Sequence, residues 1–129
     1  MSYSYTTKTD LGFEEAVARV KETFKEQGFG VLTEIDIQAT LREKIGAEVE
    51  PYVILGACNP SFASRALAAE PGVGVFLPCN VVVRRTAGET VIEAMDPAVM
   101  KQFFDDPAMA DLIAEVAPRI EKAVADAGS

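Results

Sequence analysis

"YVILGACNPSF", from Tyr52 to Phe62, decides how the middle of the chain folds. Tyr52 to Leu55 is apolar, with β-branched Val53 and Ile54, the composition of a buried strand. The character changes at Asn59. Asparagine is a strong N-cap, and Pro60 suits the first helical position, where its missing N–H costs nothing. Strand therefore passes to helix within two residues, and Phe62, Ala63, Ala66 and Leu67 are the expected buried face of that helix. A second stretch, "VFLPCNVVV" from Val75 to Val83, repeats the Cys-Asn pair in another setting. It belongs to a β-type run, Val73 to Arg85, interrupted at Pro78, which has no N–H for a ladder. "PGVG" before it, Pro71 to Gly74, reads as a turn into that strand.

Upstream, Tyr3 and Tyr5 alternate with small polar residues at the period of a half-buried strand. Phe13, Val17, Val20 and Phe24 follow at helical spacing, and Gly28 is placed to end that helix. "FGVLTEIDI" returns as a strand. Asp36 then caps a second helix with Ile37, Leu41 and Ile45 on one face and Gly46 as its stop. Downstream, "AGE" is a turn into the paired strand "TVIEAM". Asp96-Pro97 and Asp106-Pro107 each start a helix by the same cap-plus-proline device. The last helix carries Met109, Ile113, Val116, Ile120 and Val124 on one stripe, with Pro118 expected to kink or divide it. About six strands and four or five helices alternate and then form a meander. This pattern predicts an α+β sandwich in a single domain, residues 1–129, without linker or repeat.

The 129 residues carry a net charge of −8, which argues against nucleic acid or an anionic membrane as partner. No apolar run is long enough to span a membrane, and the N-terminus lacks a signal-peptide core. Two cysteines without an export signal point to free thiols in a reducing cytoplasm. The chain has no histidine. That removes Ser-His-Asp and Cys-His pairs and imidazole metal sites, and leaves carboxylate, thiol, tyrosine or lysine for any proton transfer.

The candidate site lies where the Cys58–Asn59–Pro60 helix start meets the Pro78–Cys79–Asn80 break. A thiol beside a helix N-terminus meets partial positive charge, which makes Cys58 a candidate reactive or ligand-facing group. The alternative is a small buried hydrophobe, and the same choice stands for Cys79. Asn59 is accounted for as a cap, and Asn80 as a backbone partner where the proline breaks the ladder. Pro51 to Val83 holds 33 residues and two charges, Arg65 and Glu70, so it is core, interface or apolar pocket. Arg65 is either solvent-facing or an anchor for an anionic ligand. Adjacent Arg84 and Arg85 face opposite ways on their strand and form no clamp. A disulfide is disfavoured in a reducing compartment. Two thiols fall short of the four ligands of structural zinc unless a dimer supplies both pairs. No carboxylates stand out as an acid–base couple, and no phosphate-binding glycine loop is present.

"GFGVLTEIDIQATLREKIG" (Gly28–Gly46), "YVILGACNPSFASRAL" (Tyr52–Leu67), "GVFLPCNVVV" (Gly74–Val83) and "MDP" (Met95–Pro97) together resemble the bacterial and archaeal domain of unknown function numbered 302. The likeness covers nearly the whole chain, and the paired "GACNP" and "LPCN" segments are its specific part. It implies a fold like one half of TATA-binding protein, an antiparallel sheet with helices packed on one face, and a homodimer. It brings no activity, cofactor or catalytic residue, and a shared fold transfers no function. The expectation is a non-enzymatic homodimer that binds a small apolar or anionic ligand, or a partner protein, through Cys58, Asn59, Pro60, Arg65, Cys79 and Asn80. The competing expectation is a thiol-dependent redox, persulfide-handling or metal-sensing protein, with Cys58 reactive and Cys79 resolving.

Overall fold

A computed structural model describes residues 2–129. In chain order the elements are β1 (Ser4–Thr9), α1 (Phe13–Glu26), β2 (Gly30–Asp36), α2 (Ile37–Ile45), β3 (Tyr52–Cys58), α3 (Pro60–Ala69), β4 (Cys79–Thr86), β5 (Glu89–Met95) and α4 (Pro107–Ala127). Short 3-10 segments lie at Pro71–Phe76 and Pro97–Gln102. The five strands form one antiparallel sheet in the order β1-β5-β4-β3-β2. The fold is therefore α+β, with an antiparallel sheet covered by helices. One face carries Val53, Leu55, Ala57, Val81, Val83, Ile92 and Ala94, all buried. Their strand partners, Ala57↔Cys79, Leu55↔Val81, Val53↔Val83 and Val83↔Ile92, put them on one side of the pleat.

That side is covered by α1 and α4. The helix α1 buries Ala16, Val20, Thr23 and Phe24, with Phe13 and Val17 packed at the margin. α4 buries Met109, Leu112, Ile113, Val116, Ile120, Ala123, Val124 and Ala127 along one stripe. Thr23 Oγ1 donates to the Ala123 carbonyl at 2.9 Å, and the Arg19 guanidinium to the Asp126 carbonyl at 3.4 Å. These bonds fix the C-terminal half of α4 along α1.

The caps form where the sequence puts them. Asp36, Asn59, Asp96 and Asp106 accept from the N–H groups of Ala39, Phe62, Ala98 and Ala108. Gly46 and Gly28 end their helices at positive φ, 68° and 86°.

Four expectations need correction. There are five strands, not six. Pro71–Phe76 is 3-10 and not strand, because Pro71 starts a helical turn and only Val73 of the segment is buried. Pro118 does not divide α4, since it sits on the exposed side, where the carbonyl it leaves unbonded faces water. The apolar face of α2 buries nothing, and Ile45 is 74% exposed.

Gly56 is where β2, β3 and the Pro78 corner close on one another. A Cβ there would meet the Thr33 hydroxyl and lie 2.8 Å from Pro78 Cγ. Thr33 can rotate, but the proline ring cannot. Gly56→Ala is therefore expected to lower stability by about 1–3 kcal/mol, the usual range for overpacking. Denaturant unfolding would measure it, and an unchanged midpoint would refute the close approach.

Candidate functional site

The strands β3 and β4 end side by side, at Cys58 and Cys79, short of the first turns of α4. Beyond those ends the helix face has no sheet beneath it. A cavity of about 50 Å³ lies there. Its walls come from the end of β3 (Ala57, Cys58), α3 with its cap (Asn59, Phe62, Ala63, Ala66), the corner Leu77–Pro78–Cys79, Val73 and Met100 of the two 3-10 segments, and Met109, Leu112, Ile113 and Val116 of α4, with Phe29 closing one side. The Asn59 amide is the only polar side chain among these besides the two thiols.

The expected site residues divide on this geometry. Cys58, Asn59 and Cys79 line the cavity, and Pro60, Arg65 and Asn80 do not. Asn80 is exposed on the opposite face of the sheet, beside Tyr52 and Val82, because one residue along a strand reverses the side chain. Pro60 is exposed on the outer side of its helix turn. The Arg65 guanidinium pairs with Glu115 at 2.5 Å and lies 5.6 Å from the Phe62 ring centroid. Arg119 lies 5.2 Å from the same centroid. Arg65 thus ties α3 to α4 across Phe62, outside the cavity. Leu67, expected on the buried face of α3, is 45% exposed.

The N-terminus of α3 offers little to an anion. Pro60 has no N–H, the Phe62 N–H donates to Asn59 Oδ1 at 3.2 Å, and the Ala63 N–H to the Asn59 carbonyl at 2.9 Å. Of the first turn, only the Ser61 N–H is left over. Asn59 is itself held: a Cβ on Gly28 would lie 2.8 Å from its Nδ2. The end of α1 therefore abuts the cap of α3, and Gly28 is required both by its φ of 86° and by this contact.

Both cysteines are free and partly exposed. Burial, with a smaller contribution from the neighbouring Cys58, pushes the Cys79 thiol up to about 11. Cys79 is thus a neutral thiol at physiological pH. Among the described residues, no group of three or more cysteine, aspartate or glutamate side chains is placed to hold a metal ion, and no helix is long and apolar enough to cross a membrane.

Residues 5–127 match the domain of unknown function DUF302. The chain belongs to this family. A crystal structure of an uncharacterized conserved DUF302 protein from Bacillus stearothermophilus is 33% identical and superposes with a TM-score of 0.91, covering 98% of this chain and 99% of that one. No curated protein matches the chain.

The cavity residues that the sequence did not single out are Phe29, Ala57, Val73, Leu77, Met100 and Leu112. Each reads as ordinary core. Only the scarcity of charge between Pro51 and Val83 hinted that the region encloses something.

The partly buried Cys79 thiol gives a pH test. Cys79 ionises near 9 in an unfolded chain and near 11 in the folded one, so the native state holds that proton more tightly. Its contribution to stability is complete below pH 9 and is lost as the pH rises towards 11, about 1 kcal/mol of it between pH 9 and 10. Tyr5, pushed up to about 12 by burial and by Asp96, adds a shallower slope in the same direction. Unfolding free energies of wild type and Cys79→Ala at both pH values separate the two. Equal slopes would show that Cys79 is not buried as a neutral thiol.

Proposed function

We propose that this DUF302 domain is a non-catalytic binding domain whose site is the apolar cavity between α3, α4 and the ends of β3 and β4. One observation carries the reading: a space of about 50 Å³ is left open where four segments meet, walled by buried Ala57, Ala66, Val73 and Met109 and by partly buried Cys58, Phe62, Leu77 and Cys79. Protein interiors keep few voids larger than a water molecule. An apolar space of this kind holds no ordered water well, because water needs two to four polar partners. It suits a small guest without strong hydrogen-bonding needs. The missing anion anchor at α3 and the commitment of Arg65 to Glu115 weigh against an anionic guest. Two free thiols at the cavity wall fit a reducing compartment as the place of action.

The thiol-exchange alternative is less well supported. A resolving cysteine attacks as thiolate. Cys79, ionising near 11, offers little of it at neutral pH.

Xenon supplies a direct test, since dry apolar cavities take it up. Under xenon pressure, the methyl resonances of Leu112, Ile113 and Val116 should shift with saturation, while those of Ile45 and Leu32, both exposed, stay in place. Ala63→Leu, which extends a side chain into the space, should reduce the response several-fold. Uniform shifts across the molecule, or a titration indifferent to Ala63→Leu, would overturn the proposal.

A further inference from the structure

The sulfur atoms of this chain are unevenly placed. The sequence holds two cysteines and four methionines. Both cysteines and two of the methionines, Met100 and Met109, line the one cavity. They arrive from four separate segments: Cys58 from the end of β3, Cys79 from the start of β4, Met100 from the second 3-10 segment and Met109 from the first turn of α4. Cys79 pairs with Ala57, so Cys58, the next and last residue of β3, lies at the adjoining strand end, and both cysteines reach the cavity there. Met100 and Met109 are 7% and 0% exposed, whereas the cysteines are partly exposed, so the sulfur-bearing wall runs from the surface inward.

Resting on the cavity as the binding site, we propose that its guest is a soft monovalent metal cation of the copper(I) or silver(I) class, held by Cys58, Cys79, Met100 and Met109. Ligand softness makes the selection. Magnesium and calcium need oxygen donors, and this wall offers almost none. Structural zinc takes four thiolate or imidazole ligands, and here two of the four sulfurs are thioethers. Thiolate with thioether is the donor set that selects copper(I). Four sulfur donors take the place of a water shell, so the cavity of about 50 Å³ has only the bare ion to hold. The lack of histidine, which closes most metal chemistry to this chain, is no obstacle to a sulfur site.

Charge fixes the stoichiometry. One thiol exchanges its proton for the cation, a sulfur–metal bond replaces the S–H bond, and the proton leaves to solvent. No electron moves. The resulting thiolate–cation unit is neutral, and the thioethers complete its coordination without adding charge. Ionising both thiols would leave a net negative charge against an apolar wall, which costs more.

The experiment is a titration of the reduced protein with silver(I) in chloride-free buffer, followed by native mass spectrometry and by the methionine methyl resonances, with copper(I) under anaerobic conditions as the second probe. One ion per chain is expected, with the Met100 and Met109 methyl groups shifting and that of Met95, on the other face of the sheet, unmoved. Met100→Leu and Met109→Leu conserve volume, so they should stay folded and should each weaken binding at least tenfold. Cys58→Ser and Cys79→Ser should weaken it as well, and the double variant should abolish it. Failure to bind one ion would overturn the proposal. So would binding that leaves both methyl groups unmoved and survives both leucine substitutions, which marks simple thiol capture. Xenon uptake without silver binding would remove the sulfur assignment and leave the cavity reading standing. Absence of both would remove both.

Discussion

The single apolar stripe of α4 has to serve two different partners. Its C-terminal half, Ile120, Ala123, Val124 and Ala127, is buried against α1 and the sheet, and the Thr23 and Arg19 hydrogen bonds to Ala123 and Asp126 hold it there. Its N-terminal half, Met109, Leu112, Ile113 and Val116, continues the same stripe past the ends of β3 and β4. A rigid helix cannot bend into the space the strands vacate. Other segments must cover that half, and they do so as a roof: α3 ties down through Arg65–Glu115, and the 3-10 segments insert Val73 and Met100. A roof assembled from short pieces fills space less completely than a sheet does. The cavity is the geometric remainder.

The ends of the strands are therefore the positions on which the site depends, and local chemistry determines both. Asn59 and Pro60 stop β3 by starting a helix, so Cys58 becomes the last residue of its strand. Pro78, packed over Gly56, sets where β4 begins, so Cys79 becomes the first residue of its own. The contact of Gly28 with Asn59 adds a third element, because the close of α1 and the start of α3 occupy the same place. Each stop is a short-range signal, yet together they align two thiols that are 21 residues apart.

Such short-range signals are what the sequence makes legible. The four side-chain caps, the α4 stripe, the β4–β5 hairpin and the strand-to-helix change at Asn59 are all local, and periodicity or capping chemistry reveals them. What stayed hidden depends on the third dimension. Val73 to Phe76 has β-type composition but lies off the sheet, so no ladder exists to make it a strand. Ile37, Leu41 and Ile45 have helical spacing, but α2 sits where little covers it. Cys79 and Asn80 are neighbours in sequence and lie on opposite faces of the sheet, so a motif read as one unit is split by the pleat. Arg65 reads as a lone cation until α3 meets α4 and Glu115 is found opposite.

The methionines show the same limit in its sharpest form. Met109 reads correctly as core, since it is fully buried. Burial and ligation are not exclusive, however, for a thioether is apolar enough to pack and soft enough to coordinate. A count of imidazoles and thiols therefore understates the donors available to a chain without histidine. Only after folding does Met100, 42 residues beyond Cys58, share a wall with it. An apolar cavity lined by sulfur disfavours hard cations by offering little oxygen, and favours a neutral thiolate–cation pair by its low polarity. Packing that leaves a space and chemistry that selects its occupant thus derive from the same residues.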